Sequence, residues 1–453
     1  MTSRNPRADA RAIWQAGVDA VDSERLVRDV IDCNADRLTI CGHQIPLKDV
    51  NLIAVVGAGK AGAGMAAAIE DCVAPRILEQ KVTGWLNVPA DCVRPLRKIH
   101  LHPARPAGVN EPTVEGVTGS LKILDIVTSL GPSDLCIVLL SGGGSALLPA
   151  PIPEITLQEK QAVTRFLMHA GATINELNCV RKRLSRIKGG NLARATKAAT
   201  IVSLIISDVI GDPLDVIASG PTVTDSATDA AALAVLEKYA SNPNDVPASV
   251  LKFLREAAVN SRPAKPLPET VFNHVIGSNT VAVQAAAAKA KELGYAVVNL
   301  GADHPGVARD AGGELAELCQ RIRDRGDPVS PPACVISGGE PVVHLVKTDQ
   351  PQKGGRNQEL VLSSLIRLWD DGMYGITMLS GGTDGEDGPT DAAGAIADSK
   401  TIELAKSSGY NPREYLEVNN SYTFFDQLGA LLKTGPTHTN VMDLRVAVIE
   451  SRR

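Results

Sequence analysis

Three charged residues of this chain follow apolar runs or lie among glycines, a setting in which side chains often do chemistry. Lys60 lies in IAVVGAGKAG, Asp208 follows IVSLIIS, and Arg356 lies in KGGRNQE. A lysine and an arginine stabilise negative charge on a reacting group, while a carboxylate orients or deprotonates a hydroxyl. Phosphoryl transfer needs such a set, so we predict these three as catalytic residues. Asp208 is equally suited to ligate magnesium, and both roles stay open.

The motif Ser-Gly-Gly occurs three times, each time directly after an apolar run, beginning at Ser141, Ser337 and Ser380. Glycine lets the backbone bring its N–H groups close to an anion, and serine adds a hydroxyl donor. Three loops of one composition favour ligand binding over ordinary turns. We therefore predict these substrate- or nucleotide-binding residues: Gly57, Gly59, Ser141, Gly142, Gly143, Gly144, Ser145, Lys188, Ser337, Gly338, Gly339, Glu340, Asn357, Thr383 and Asp384.

Two further segments concentrate charge. The loop GGTDGEDGPTD, residues 381–391, fails the EF-hand pattern, and Asp384 and Asp387 are predicted magnesium ligands with a solvated acidic turn as the equal alternative. The segment RKRLSRIKGGNLARATK, residues 181–197, holds seven basic residues and no acid. Most of it is typical of a solvated helix face, and Lys188 is the residue expected to face an anion. His100 and His102 lack a third ligand and are interpreted as structural.

A dinucleotide fingerprint, G-x-G-x-x-G, is present at Gly57, Gly59 and Gly62 after a predicted strand. The acidic residue expected about 20 positions later, which binds the ribose, is missing. Dinucleotide binding therefore remains an alternative to phosphate binding at this loop. No G-x-S-x-G elbow occurs, which leaves a serine hydrolase without support.

The elements that must position these residues alternate between β-branched runs and Ala- and Leu-rich helical segments. This alternation indicates an α/β protein with mostly parallel sheets, in which ligands bind beyond the carboxyl ends of the strands. We predict strands at residues 52–56, 82–88, 135–140, 201–206, 272–276, 333–336, 342–346, 376–379 and 444–449. We predict helices at residues 113–130, 157–170, 281–293 and 357–368.

Proline-rich sequence around residues 242–247 and 261–268 predicts a domain edge. We place the first domain at residues 1–262 and the second at residues 263–453. Residues 8–30 are expected to form an amphipathic helix packed on the first domain.

The composition excludes several classes of function. The chain has 453 residues, a net charge of −5 and a hydrophobic fraction of 44%. This mildly acidic balance argues against nucleic-acid binding, and no apolar run approaches the roughly 18 residues of a membrane helix. The eight cysteines are scattered without a Cys-x-x-Cys pair, which is typical of a reducing compartment. We therefore expect a cytoplasmic protein that binds a small molecule and no membrane.

Taken together, eight segments resemble the type II glycerate kinases, and the resemblance runs from about residue 10 to residue 449. The resemblance rests on VVGAGKAG, LLSGGGSALL, LSRIKGGNLA, ISDVIGDPLDVIASGPT, SGGEP, GGRNQE, GTDGEDGPTDAAG and GPTHTNV. Two places depart from the family pattern: HPARPAGVNEP at residues 102–112 is longer than the family's His-Pro-x-Pro-Asp stretch and lacks its aspartate, and Met442 replaces the usual asparagine. Both departures bear on the choice of the acceptor acid.

The resemblance implies a Rossmann-like, doubly wound N-terminal domain, a smaller α/β domain of MOFRL type and an active site in the cleft between them. It also implies that ATP, with Mg2+, phosphorylates D-glycerate at its 2-hydroxyl to give 2-phosphoglycerate and ADP. The family's functional lysine, aspartate and arginine match Lys60, Asp208 and Arg356. The alternatives are an NAD(P)H-dependent hydroxypyruvate reductase and a non-catalytic sensor of small anions. The assembly stays open between a monomer and a homodimer.

Overall fold

A computed structural model describes residues 4–106, 108–109, 111–242, 244–260 and 266–451. Its strands are β1 (Ile31–Cys33), β2 (Arg37–Ile40), β3 (His43–Pro46), β4 (Ile53–Ala58), β5 (Val82–Pro89), β6 (Ile99–Arg105), β7 (Leu135–Leu140), β8 (Thr200–Ile206), β9 (Val271–Gly277), β10 (Ala296–Asn299), β11 (Ala333–Gly339), β12 (Ile376–Gly382), β13 (Gly394–Ala397), β14 (Leu431–Leu432) and β15 (Asp443–Ile449).

Its helices are α1 (Pro6–Ala20), α2 (Ser23–Arg28), α3 (Gly62–Cys72), α4 (Pro75–Lys81), α5 (Val114–Ser129), α6 (Gly144–Leu147), α7 (Leu157–His169), α8 (Ile174–Arg183), α9 (Asn191–Ala195), α10 (Asp229–Tyr239), α11 (Ala248–Val259), α12 (Asn279–Glu292), α13 (Ala308–Arg325), α14 (Arg356–Arg367), α15 (Ser399–Ser407), α16 (Pro412–Glu417) and α17 (Ser421–Gln427). No helix within the described ranges is long and apolar enough to cross a membrane.

The N-terminal unit, Ser23–Ile276, is built on a six-stranded sheet in the order β6-β5-β4-β7-β8-β9. Strands β4 and β7 are buried along their whole length, as expected for parallel strands covered on both faces. They pair in parallel, and β7 also pairs in parallel with β8. The order reverses between β4 and β7, which makes their carboxyl ends the switch point where such sheets bind ligands. The predicted Rossmann-like fold of this unit is confirmed.

The C-terminal unit comprises the described residues up to Asp22 and from Gly277 onward. Its six-stranded sheet has the order β10-β11-β15-β12-β13-β14. Among the described strand pairs of this sheet, β10 and β11 alone run parallel. Strand β15 lies between β11 and β12 and is antiparallel to both. The predicted α/β class is confirmed for this unit, but the expectation of a mostly parallel sheet is wrong here.

The division of the chain into units differs from the predicted domains in two places. The predicted boundary at residue 262 lies outside the described residues, and β9 still belongs to the first sheet. The first helix, α1, was expected to pack on the N-terminal domain and instead joins the C-terminal unit. Its Ile13 and Trp14 are buried against Leu444 and Val446 of β15, so hydrophobic burial decides where this helix packs.

The other predicted elements occur within a few residues of their expected bounds, with one exception. Residues 342–346 form no strand, and Val342 makes only an isolated bridge to Val307. Residues 107 and 110 of the divergent 102–112 segment lie outside the described residues. His100 and His102 pack against the ring of Trp85, which agrees with their structural interpretation.

Candidate functional site

The first glycine loop follows β4 and uses its own N–H groups internally. The amide of Gly59 donates to the Asn87 carbonyl at 3.2 Å, that of Lys60 to the Gly142 carbonyl at 2.9 Å, and that of Ala61 to Ser141 Oγ at 3.0 Å. Gly59 has φ +148°, and a Cβ there would lie 1.9 Å from Ser141 Oγ. The loop is therefore joined to the loop after β7, and these amides are not available to a pyrophosphate.

Gly57 serves the same packing between neighbouring strands. Its φ is +151°, and a Cβ at this position would lie 1.9 Å from the carbonyl oxygen of Leu139. Only glycine fits so close to the backbone of β7. The predicted binding role of Gly57 and Gly59 therefore has a structural explanation that requires no ligand.

The loop formed by Ser141, Gly142, Gly143, Gly144 and Ser145 lies at the carboxyl end of β7, in the centre of the sheet. Gly143 has φ +78°, a left-handed conformation that favours glycine. A Cβ on Gly143 would lie 3.1 Å from a guanidinium nitrogen of Arg105 and 3.8 Å from Cγ of Lys60. Two cationic side chains therefore lie along this loop, as an oxyanion site at a switch point requires.

Lys188 reaches the same loop from the turn before α9. Its buried Nζ donates to Ser145 Oγ at 2.7 Å and to the Ser145 carbonyl at 2.9 Å, and it lies 3.4 Å from the Ala218 carbonyl. Ser145 Oγ is in turn 3.2 Å from Ser219 Oγ. Ala218 and Ser219 have φ of +50° and +61°, a strained backbone conformation that the surrounding contacts hold in place.

The ammonium of Lys188 has no ion-pair partner among the described carboxylates. Burial lowers the pKa of Lys188 well below its ordinary value, and the charges of Lys160, Arg181 and Lys182 lower it further. A buried cation without a counter-ion costs free energy unless a ligand supplies the negative charge. Lys188 therefore fits its predicted role beside an anion.

Asp208 lies two residues beyond the end of β8 and is partly exposed. The register pairs Ala58 with Leu140 and Leu140 with Ile205, so β4, β7 and β8 end at one edge of the sheet. Lys60, the loop beginning at Ser141 and Asp208 therefore follow three adjacent strands at that edge. Strands lie about 4.8 Å apart, which places the outer two about 10 Å from each other, a span suited to a small phosphorylated substrate.

In the C-terminal unit, Arg356 begins α14 and makes ion pairs with two carboxylates. Its Nε and Nη2 donate to the buried carboxylate of Asp443 at 2.7 and 3.0 Å, and Nη1 donates to Glu340 at 2.7 Å. These charges raise the pKa of Arg356 against the opposing effect of burial. Within the described part of the chain, three of the five N–H bonds of the guanidinium are used, and two remain for a ligand.

Asp387 caps the start of α14. Its Oδ1 accepts from the Asn357 amide at 3.0 Å and its Oδ2 from the Gln358 amide at 2.8 Å. Burial raises the pKa of Asp387 to about 7, although these amides and Arg356 act in the opposite direction. Asn357 also donates to Asp443 at 2.9 Å, which links its predicted site to that of Arg356.

Two other predicted binding residues of this unit make internal contacts. The hydroxyl of buried Thr383 donates to the Met442 carbonyl at 2.7 Å and accepts from the Val441 amide at 2.9 Å. Asp384 Oδ1 accepts from the Glu386 amide at 3.1 Å, the solvated-turn arrangement that was the alternative to metal binding. The contacts of Thr383 are those of a side chain that joins two loops.

The two glycines that end β11 are likewise explained by packing. A Cβ on Gly338 would lie 1.5 Å from Asn279 Oδ1, and one on Gly339 would lie 2.3 Å from the His304 carbonyl. Ser337, in contrast, makes no side-chain hydrogen bond to the described residues. Within the second Ser-Gly-Gly motif, the serine is thus the residue that remains available to a ligand.

A magnesium site built from protein groups does not fit these contacts. Both oxygens of Asp387 already accept hydrogen bonds from backbone amides, so these contacts give its predicted role as a magnesium ligand no support. The described residues contain no group of three His, Cys, Asp or Glu side chains that could hold a metal ion. Any magnesium here would rest mainly on substrate oxygens, the usual mode for nucleotide-bound Mg2+.

Sequence reasoning missed two charged residues of the C-terminal unit, Asp443 and Arg445. Both lie on β15, are buried and point to the same face of the sheet, because side chains alternate along a strand. The signal was present in the sequence: DLRVAVI carries two charges at alternate positions of an otherwise apolar strand. Charges in such a strand need partners, since burying an unpaired charge is costly.

Two family models match this chain. One is described as "Domain of unknown function (DUF4147)" and covers residues 9–255, and the other is the MOFRL family, covering residues 333–443. The first model alone spans more than half of the chain. The gap between them contains β9, α12, β10 and α13, so the two matches leave out the beginning of the C-terminal unit.

Similar proteins carry two kinds of name. A glycerate kinase of Danio rerio is 37% identical over 99% of this chain and 98% of its own length. A D-glycerate 2-kinase of Thermotoga maritima is 41% identical over 76% of this chain and 79% of its own length. A protein of Agrobacterium vitis named "Putative hydroxypyruvate reductase" is 38% identical over 97% of this chain and 96% of its own length.

A solved structure agrees with the first kind of name. The crystal structure of a Thermotoga maritima glycerate kinase matches with a TM-score of 0.83 and 36% identity, covering 98% of this chain and 99% of that one. Identity and coverage at this level show common ancestry over both units, and the resemblance inferred from the sequence motifs is confirmed. This chain belongs to the glycerate 2-kinase family of enzymes, which combine the DUF4147 and MOFRL domains.

Proposed function

We propose that this enzyme transfers the γ-phosphoryl group of ATP to the 2-hydroxyl of D-glycerate, giving 2-phosphoglycerate and ADP. The names of its relatives support this reaction. The observation that carries the proposal is the alignment of Lys60, the loop from Ser141 to Ser145 and Asp208 at the carboxyl ends of three adjacent strands. This edge combines cations, hydroxyl donors and a carboxylate, which are the groups that phosphoryl transfer requires.

Each group has one role in the proposed reaction. Asp208 accepts the proton of the 2-hydroxyl of glycerate while that hydroxyl oxygen forms a bond to the γ-phosphorus. The bond from the γ-phosphorus to the β–γ bridging oxygen breaks, and ADP leaves. Lys60 stabilises the negative charge on the transferred group. Ser145, held by Lys188, donates a hydrogen bond to an anionic oxygen of the ligand. In the C-terminal unit, the remaining N–H bonds of Arg356 bind a carboxylate or phosphate.

The nucleotide is proposed to enter as its magnesium complex, with the ion held mainly by phosphate oxygens. A cytoplasmic location is also proposed. All eight cysteines are free thiols, which is the usual state in a reducing compartment.

The alternative, hydroxypyruvate reduction by NAD(P)H, has one relative's name in its favour. The geometry of the glycine loop disfavours it, because the amides of Gly59, Lys60 and Ala61 donate within the protein rather than to a bound pyrophosphate. Dinucleotide-binding loops leave these groups for the cofactor.

A coupled assay tests the proposal directly. Purified protein with ATP, Mg2+ and D-glycerate should release ADP, and phosphorus NMR should identify 2-phosphoglycerate as the product. Lys60→Met should lower kcat by at least about 100-fold through loss of charge stabilisation, while Lys48→Met, a matched change at an exposed lysine, should not. Formation of 3-phosphoglycerate would disprove the regiochemistry. Oxidation of NADH by hydroxypyruvate, without ADP release, would establish the reductase instead.

A further inference from the structure

Arg445 is a buried arginine whose charge the described part of the chain leaves without a counter-ion. Arg445 is 3% exposed, and its guanidinium makes one hydrogen bond to the described residues, from Nη2 to the His304 carbonyl at 3.3 Å. Its buried Nε donates to no group. A guanidinium keeps its proton in proteins, so this residue carries a full positive charge in a desolvated position.

The nearest acid, Asp443, is already engaged. Its two carboxylate oxygens accept from Nε and Nη2 of Arg356 and from Nδ2 of Asn357. Burial lowers the pKa of Arg445, Asp443 acts in the opposite direction, and the charge of Arg356 lowers it again. Asp443 is therefore hydrogen-bonded to Arg356, which also pairs with Glu340, whereas Arg445 has no carboxylate bonded to it among the described residues.

Two serines lie opposite Arg445 on the neighbouring strands. Arg445 lies directly opposite Ser337 on β11 and opposite Ser380 on β12. Directly opposite residues of antiparallel strands point to the same face of a sheet, with Cβ atoms about 5 Å apart. Ser380 donates to Asn357 at 2.5 Å, whereas Ser337 has no such partner among the described residues. The serines of two Ser-Gly-Gly motifs thus flank Arg445 on one face of the sheet, and the Ser337 hydroxyl is the one without a protein partner among the described residues.

The segment beside this group is open to solvent. Residues 300–306 have no regular secondary structure, and Pro305 and Gly306 within this segment are exposed. His304, whose carbonyl accepts a hydrogen bond from Arg445, belongs to this surface segment. The planar fork of arginine matches the two oxygens of a carboxylate or a phosphoryl group, and these bidentate pairs are among the strongest hydrogen-bonded contacts in proteins.

We propose that Arg445, with the hydroxyl of Ser337, binds an oxyanion of a reactant in the C-terminal unit. The proposal depends on the proposed function for the identity of the ligand, which is either the carboxylate of the acceptor acid or a phosphoryl oxygen of ATP. The oxyanion gives Arg445 a directly bonded negative charge, as Asp443 does for Arg356. Arg445 is then a binding residue, and Arg356 is oriented by protein carboxylates.

Isothermal titration calorimetry on the full chain tests this proposal, with D-glycerate alone and with ATP and Mg2+ as separate arms. Arg445→Met should weaken binding of one ligand by at least about 30-fold, since a charge-assisted bidentate contact is worth about 2 kcal/mol or more. Ser337→Ala should weaken the same ligand about 3- to 10-fold, the effect of one hydrogen bond, and keeps the test open if Arg445→Met does not fold. Loss confined to D-glycerate identifies the carboxylate, and loss confined to ATP identifies the phosphoryl group.

Arg323→Met is the matched control, because Arg323 is a buried arginine of the same unit that pairs with Asp371. It should lower stability and leave both dissociation constants within about twofold. Affinities within twofold of wild type in folded Arg445→Met, or in Ser337→Ala if that variant alone folds, would overturn the proposal. Binding is measured without turnover, so a failure of the proposed kinase reaction would be seen separately in the ADP assay.

Discussion

Replacement of Lys188 by methionine should separate its role in ligand binding from any role in folding. Burial lowers the pKa of Lys188 well below its ordinary value, because a buried ammonium without a carboxylate partner destabilises the folded state. Methionine has similar length and carries no such cost. It also loses the hydrogen bonds of Nζ to Ser145 and Ala218, worth about 1 kcal/mol each and about 3 kcal/mol together. Because replacing a buried, unpaired cation by an apolar side chain of similar volume is usually neutral or stabilising, the free energy of unfolding should stay equal or rise.

Activity should respond in the opposite direction. Without Lys188, Ser145 loses its nearest donor and the bound anion loses a buried positive charge, together about 3 kcal/mol or more. The expected loss in kcat/KM is at least about 100-fold. Guanidinium chloride unfolding and the ADP-release assay, run on the same preparation, measure the two quantities.

Lys182→Met provides the matched control, since Lys182 is equally buried but pairs with Asp215 and Asp225. Removing one partner of a buried pair should cost about 3 kcal/mol or more of stability, with kcat/KM of the folded protein within about threefold of wild type. The reasoning is refuted if Lys188→Met behaves like this control, with lower stability and unchanged kcat/KM.

Three further predictions concern stability and the metal. Burial lowers the pKa of Lys160 to about 7, so the unfolded state binds more protons than the folded state between about pH 7 and pH 10.5. The free energy of unfolding should therefore rise with pH in this range, by up to about 1.4 kcal/mol per pH unit. Chemical denaturation of Lys160→Met at several pH values should show a flatter dependence on pH. Asp387→Asn should weaken the α14 cap and lower the free energy of unfolding by about 1–2 kcal/mol, which thermal unfolding will show as a lower melting temperature. The Mg2+ concentration for half-maximal rate should stay unchanged. A tenfold rise in that concentration would instead identify Asp387 as a metal ligand. Glu70→Gln should cost about 2–4 kcal/mol in denaturant unfolding, because the buried Glu70 carboxylate accepts three backbone amides before and within β6; a cost below about 0.5 kcal/mol would contradict this.

Local sequence pattern was sufficient for the elements that carry the N-terminal site. The run LCIVLL is apolar at six consecutive positions, which predicts a strand buried on both faces, and β7 has those bounds. Glycine after such a strand predicts a sharp turn at the carboxyl end of a parallel sheet. Lys60 and Asp208 follow strands of this kind, so their common edge was predictable from the chain.

The partners of these residues depended on contacts between distant parts of the chain. Asp443, which binds Arg356, is 87 residues away from it in sequence, and only the insertion of β15 between β11 and β12 brings them together. The same insertion places Arg445 opposite two serines, and it buries α1 against the C-terminal unit. Residue types thus determined which groups could do chemistry, whereas tertiary packing decided which charges are neutralised within the protein and which are left for a ligand. The physical reason is that the free energy of a charge depends on its burial and partners, which a linear pattern does not contain.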